Sequence, residues 1–140
     1  MSLQAFLAQN VERDEVTTYV ASKRFKDENG QPIKWTLRSV TSDVDEAVRK
    51  ACMKQVPVPG KKGMFQKETD YDKYLGKLAV ACIEYPDLNS QELQDSYKVM
   101  GADALLKVML KPGEYQDLLN KIQEVNGYVS TDELVDEAKN

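Results

Sequence analysis

At 140 residues, 41% apolar and 30% charged, the chain has about the length of one ordinary domain and the composition of neither a disordered segment nor a membrane protein. Its net charge of -4 gives no electrostatic reason to expect nucleic acid as the main partner. The longest uninterrupted apolar run, Leu78 to Ile83, falls far below the ~18 residues that span a bilayer. Met1-Ser2-Leu3-Gln4 lacks the basic start and long apolar stretch of a signal peptide, so the expected location is the cytoplasm.

Ser2 is placed to cap a short helix over Leu3–Gln9, with Leu3, Phe6 and Leu7 on one face. From Val16 to Lys26 and again from Ile33 to Val40 the period changes to two. Tyr19, Ala21 and Phe25 share one face of the first run, and Ile33, Trp35 and Leu37 share one face of the second. Asp27-Glu28-Asn29-Gly30-Gln31-Pro32 between them is turn chemistry, with Asn29-Gly30 suited to positive φ. The pair reads as a β-hairpin whose other side carries Lys23, Arg24, Lys26, Lys34 and Arg38. A lone hairpin is marginal in water, so its apolar face must rest on helices.

Thr41 or Ser42 caps the next helix, predicted to run through Val44, Ala47, Val48, Ala51, Cys52 and Val56 until Pro57 ends it. Residues 57–68 read as a flexible basic loop, because Val56-Pro57-Val58-Pro59-Gly60-Lys61-Lys62-Gly63 has neither a helical nor a strand period. Thr69 and Asp70 open a helix carrying Tyr71, Tyr74, Leu75, Leu78, Cys82 and Tyr85, closed by Pro86. Three more helices follow. One starts near Ser90 with Leu93 and Tyr97 inward, one holds Ala102 to Leu110, and one holds Tyr115 to Val125 and stops at Asn126-Gly127. Ser130 and Glu133 form a capping box for an acidic terminal helix over 130–140. The expected fold is α+β and mostly helical: one domain over 1–140, an N-terminal β-hairpin packed against a set of short amphipathic helices.

The chain contains no His, the side chain on which general acid–base and nucleophilic catalysis most often lean. Cys52 and Cys82 fall on apolar helical stripes and read as core residues, not as a disulfide or a zinc site. Acidic pairs such as Asp43/Asp45 and Asp132/Glu133 sit where helix capping explains them. No catalytic, cofactor-binding or metal-ligating residue is therefore assigned. Gly60-Lys61-Lys62-Gly63 fails the spacing of a phosphate loop. Tyr19 and Trp35 read as the face that packs on helices, although sheet aromatics with a Lys61/Lys62 loop are also what a small RNA-binding module presents. Charge is uneven: Ala47 to Lys67 holds six basic residues and no acidic one, while Asp132, Glu133, Asp136 and Glu137 cluster near the end. Lys61, Lys62, Lys67, Glu133 and Glu137 are the candidate partner-binding residues.

A succession of segments resembles one known family. These are Met1 to Leu7, Tyr19 to Phe25, and Ala51-Cys52 leading to Val56-Pro57-Val58-Pro59-Gly60-Lys61. They continue through Glu68 to Tyr71, Tyr74 to Cys82, Tyr97 to Ala102, Met109 to Asp117 and Gln123 to Gly127. In that order, and over essentially the whole chain, the sequence is similar to the XkdN-like phage tail assembly chaperones. The resemblance implies a non-catalytic protein that binds the tape measure protein and keeps it soluble. It further implies that such a protein helps recruit tail tube subunits and is absent from the finished virion. It also implies a longer product made by ribosomal frameshifting, with which an A-AAA-AAC codon choice over Ala138-Lys139-Asn140 would agree.

Elementary physics is consistent with that role. A long helical client with exposed apolar stripes aggregates unless covered, and short amphipathic helices offer it a groove. Modest contacts multiplied over many copies give hold without permanence. The basic segment at Lys61 and Lys62 and the acidic one at Glu133 and Glu137 are then complementary surfaces for self-association or partner contact. The rival reading is a structural tail or head–tail completion subunit.

Overall fold

A computed structural model describes residues 2–12 and 16–128. Five helices and five short strands lie among them. Strands β1 (Thr17–Tyr19) and β2 (Trp35–Leu37) pair antiparallel in the register Thr17↔Leu37, Thr18↔Thr36, Tyr19↔Trp35. This is the expected N-terminal hairpin, with regular strands much shorter than the alternating runs. Its tip closes at Asn29-Gly30: Asp27 accepts from the Gly30 amide at 3.0 Å, and Gly30 takes φ +76°, the region that glycine enters without a Cβ penalty.

A third strand, β5 (Ile83–Tyr85), pairs antiparallel with the other edge of β2, giving the order β1-β2-β5. The helix expected to reach Tyr85 therefore stops at Cys82. Tyr85 and Pro86 are joined by a cis peptide bond. Trp35 and Leu37 point to the buried side of the sheet, and Phe25 sits beside Trp35 with ring centroids 6.2 Å apart.

The helices cover that side. They are α1 (Ser42–Ala51), α2 (Tyr71–Cys82), α3 (Gln91–Ser96), α4 (Ala102–Met109) and α5 (Pro112–Val125). The core takes Tyr74, Leu78, Ala79 and Cys82 from α2, Leu105, Leu106 and Met109 from α4, and Leu118, Leu119 and Ile122 from α5. Cys52 and Cys82 are both buried, as expected of core residues, and stand as free thiols.

The caps follow local chemistry. Asp70 accepts from the Lys73 amide at the start of α2, and Ser90 accepts from the Leu93 amide at the start of α3. Thr41 stands at the N-cap of α1, yet its hydroxyl donates to Asp43 instead of accepting an amide. Glu114, in the first turn of α5, reaches back to the Lys111 amide at 2.8 Å, and Pro112 occupies the helix start.

Two expectations from the sequence need correction besides the end of α2 and the inward placement of Tyr97, which follows the end of α3 and is exposed. First, α1 ends at Ala51 instead of continuing to Val56, and residues 57–68 are not one long loop. Strands β3 (Met53–Pro57) and β4 (Phe65–Thr69) form a separate antiparallel ribbon, from Met53↔Thr69 to Pro57↔Phe65. Second, the N-terminal helix reduces to one 3-10 turn at Gln4–Phe6. Leu3 and Phe6 there are 74% and 80% exposed, so they form no buried stripe. The acidic helix expected over 130–140 lies outside the described residues.

Candidate partner-binding surface

The ribbon begins where α1 ends. The Cys52 carbonyl accepts from the Asp70 amide at 2.6 Å, which closes its base directly ahead of α2. Five paired positions and a further bond from the Val58 amide to the Met64 carbonyl extend it outward. Gly60 and Gly63, both at positive φ, turn the chain at the tip. Along it Val56, Val58 and Thr69 are half-buried and the remaining residues from Met53 to Thr69 are exposed. Cross-strand register places Met53/Thr69, Gln55/Lys67 and Pro57/Phe65 on one face and Lys54/Glu68 and Val56/Gln66 on the other.

Lys61 and Lys62 occupy the tip and Lys67 stands on β4, so the structure brings these three candidates together on one projecting element. Lys54 joins them across the ribbon. Glu133 and Glu137 lie outside the described residues. Sequence reading missed the apolar part of this surface. Phe65 is 62% exposed, Met64 53% and Met53 41%. The available signal was Phe65 itself, an aromatic residue in a polar stretch with no neighbour at i±2 or i±4 to share a buried face.

At the other end of α2 is a second exposed surface, formed by the segment from Glu84 to Met100. Its backbone is knitted locally: the Gln94 side chain donates to the Leu88 carbonyl at 2.9 Å and accepts from the Gly101 amide at 3.0 Å. Tyr85 is 53% and Met100 91% exposed. Glu84, Asp87, Glu92 and Asp95 stand against Lys98 alone in this stretch. Glu84 is paired with Arg38 at 2.5 Å.

A polar cleft between α1, α2 and the end of α5 is lined by Thr41, Ser42, Asp45, Asn126 and Tyr128 among others. Inside it Tyr74 donates its hydroxyl to Asp45, and Arg49 donates to the same carboxylate at 3.0 Å while lying 4.2 Å from the Tyr74 ring centroid. Burial raises the Asp45 pKa, but the Tyr74 and Arg49 hydrogen bonds outweigh it and leave the carboxyl below its ordinary value. Burial, and then the bond to Asp45, raise the Tyr74 hydroxyl. Asn126 completes the arrangement by accepting from the Val40 amide at 3.0 Å and donating to Cys82 Sγ at 3.4 Å. Burial raises the Cys82 thiol, which suits a packed residue and not a nucleophile. These groups satisfy one another, and among the described residues no buried side-chain polar atom lacks a hydrogen-bond partner. The cluster joins helices. Among the described residues, no group of three His, Cys, Asp or Glu could hold a metal ion.

Comparison with known proteins bears on the whole arrangement. The family model described as phage XkdN-like tail assembly chaperone protein matches residues 3–139. The chain is 30% identical over 136 residues to the phage-like element PBSX protein XkdN of Bacillus subtilis (strain 168), spanning 94% of this chain and 88% of that protein. It is 29% identical over 131 residues to the uncharacterized protein YqbN of the same strain, spanning 93% and 86%. A crystal structure of the protein YqbN matches the fold with a TM-score of 0.77 at 25% identity, covering 92% of this chain and 98% of that one.

Proposed function

We propose, from the premise that the chain belongs to the XkdN-like family of phage tail assembly chaperones, that it binds the tape measure protein and holds it soluble until the tube forms. In this reading it also helps recruit tail tube subunits, acts without catalysis in the cytoplasm of the bacterial host, and leaves before the virion is complete. The observation that carries the reading is the projecting ribbon, where exposed Phe65 and Met64 stand beside Lys61, Lys62 and Lys67. A surface of apolar anchors ringed by cations can cover a client's apolar stripe while adding salt-sensitive contacts. No helix among the described residues is long and apolar enough to cross a membrane.

Lys61, Lys62 and Lys67 are the residues assigned to partner contact, with Glu133 and Glu137 as an acidic counterpart. The test is co-expression with the tape measure protein of the same phage element, followed by affinity capture and assay of the client's solubility. A soluble complex, with the client insoluble alone, is expected. No association at either low or moderate salt would overturn the chaperone reading and favour a structural tail or head–tail subunit.

A further inference from the structure

The ribbon carries apolar and cationic side chains on a surface that nothing in the body covers. Met53, Phe65 and Lys67 share one of its faces, Lys61, Lys62 and Met64 stand at its tip, and Lys54 lies on the other face. Among the described residues, none of Lys54, Lys61, Lys62 and Lys67 is ion-paired. Residues 53–69 set Glu68 alone against them, so the ribbon is net positive in a chain whose total is -4. A free two-stranded ribbon is marginal in water, and exposed apolar groups ringed by cations suit an acidic amphipathic helix.

Residues 129–140 have that character in sequence, with Asp132, Glu133, Asp136 and Glu137 against Lys139. At helical spacing Leu134, Val135 and Ala138 form one stripe, flanked by Asp132 and Asp136 on one side and by Glu133 and Glu137 on the other. A helix over 130–140 is about 16 Å long, and the paired positions of the ribbon, from Met53↔Thr69 to Pro57↔Phe65, span about the same length. The segment also leaves the body beside the root of the ribbon. Tyr128, the residue before it, lines the cleft with Asp45 and reaches the Arg49 guanidinium in the last turn of α1. The Arg49 carbonyl accepts from the Cys52 amide at 3.0 Å, and the ribbon starts at Met53.

We propose that the acidic segment 129–140 docks on the β3–β4 ribbon of its own chain, as a reversible cover that a client must displace. Its apolar stripe lies on Met53 and Phe65, and its flanking carboxylates reach Lys61, Lys62 and Lys67. Tethered at Tyr128, the segment meets the ribbon at an effective concentration on the order of millimolar, so a contact too weak to hold separate molecules forms within one. Exposed ion pairs and a small apolar area keep it easily displaced. Only the shielding of the ribbon from a client rests on the chaperone reading. The contact itself is measured without any client, so either can fail alone.

Paramagnetic relaxation in the full chain at low salt is the test. Cys52 and Cys82 are buried, so Lys139→Cys directs a nitroxide to the terminal segment. With isotope label and nitroxide on the same chain, diluted into a large excess of unlabelled chain, the amides of Gly60, Gly63 and Phe65 should broaden. One variant carries Lys61→Glu with Lys62→Glu, and a second carries Glu133→Lys with Glu137→Lys. Each should lose most of the broadening, and all four changes in one chain should restore it. Circular dichroism melting confirms that the variants keep the fold. Removing 129–140 should quicken hydrogen exchange of the ribbon amides about three- to tenfold and raise affinity for the tape measure protein by a similar factor.

Ribbon amides that stay sharp in the parent overturn the proposal. So does broadening that appears only when nitroxide and isotope label sit on different chains, or broadening that either charge reversal leaves undiminished. A contact within the chain whose removal leaves client affinity unchanged or lower overturns the covering role. Failure of every form to bind the client counts against the chaperone reading alone, because the ribbon amides decide the contact.

Discussion

Glu114 connects two stretches of chain that lie far apart in sequence, the hairpin arm around Arg24 and the junction of α4 and α5. Its carboxylate takes the Arg24 guanidinium at 2.8 Å and the Lys111 amide at 2.8 Å, while Arg24 also donates to the Met109 carbonyl at 2.8 Å. The hairpin arm is thereby tied to the junction of α4 and α5. Hydrogen bonds from the Ser22 hydroxyl, then Arg24 and the Lys111 amide, hold the carboxyl at about 2, against an ordinary value of 4.5. The folded state therefore favours the ionised form. Its contribution to stability is present above pH 4.5 and is lost as pH falls from 4.5 towards 2. Glu114→Gln keeps the shape and an accepting oxygen but removes the charge. The variant should have a lower urea midpoint than the parent at pH 7, with the gap closing as pH drops below 4.5. A gap of constant size across that range would show that ionisation of Glu114 does not support the fold.

At the scale of elements, α2 is the helix around which the others are arranged, and Gly76 decides how closely α5 can approach it. A Cβ at Gly76 would meet the Tyr115 hydroxyl at 3.1 Å, tighter than ordinary contact. A helix-interior glycine costs about 1 kcal/mol relative to alanine, so close packing is the compensation. Gly76→Val should destabilise the protein by about 1–3 kcal/mol through overpacking. Adding Tyr115→Phe, which deletes the obstructing oxygen, should recover part of that loss in thermal or urea melts; no recovery would place the clash elsewhere. The helices α2, α4 and α5 were legible in the sequence because one side of each meets the core, and burial enforces the 3.6-residue period seen in Leu105, Leu106 and Met109 or Leu118, Leu119 and Ile122. The hairpin was legible for the same reason through Trp35 and Leu37, with period two. Strand β5 was not, because Ile83 and Tyr85 continue the spacing of Leu75, Leu78 and Cys82, and only the tertiary edge of β2 converts them to strand. The ribbon was hidden for a different reason. It buries neither face, so nothing selects an alternating apolar pattern in Met53–Pro57 or Phe65–Thr69. Val56 continued the apparent stripe of α1. Of the candidate site, the cations could be read and their gathering on one projecting element could not.

For the whole molecule, the result is two regions of very different expected stability. The body places the sheet face under α2, α4 and α5, with Trp35, Leu37, Leu78, Leu105 and Leu118 at or near zero exposure. Its backbone bonds open only with much of the core. The ribbon's bonds lack apolar backing, its residues from Met53 to Thr69 being exposed or half-buried, so opening them exposes little new apolar surface and costs little. Native-state hydrogen exchange on dilute protein should therefore find amides of 53–57 and 65–69 exchanging orders of magnitude faster than those of β2, α2 and α5. Ribbon amides as slow as those of α2 would sink this division.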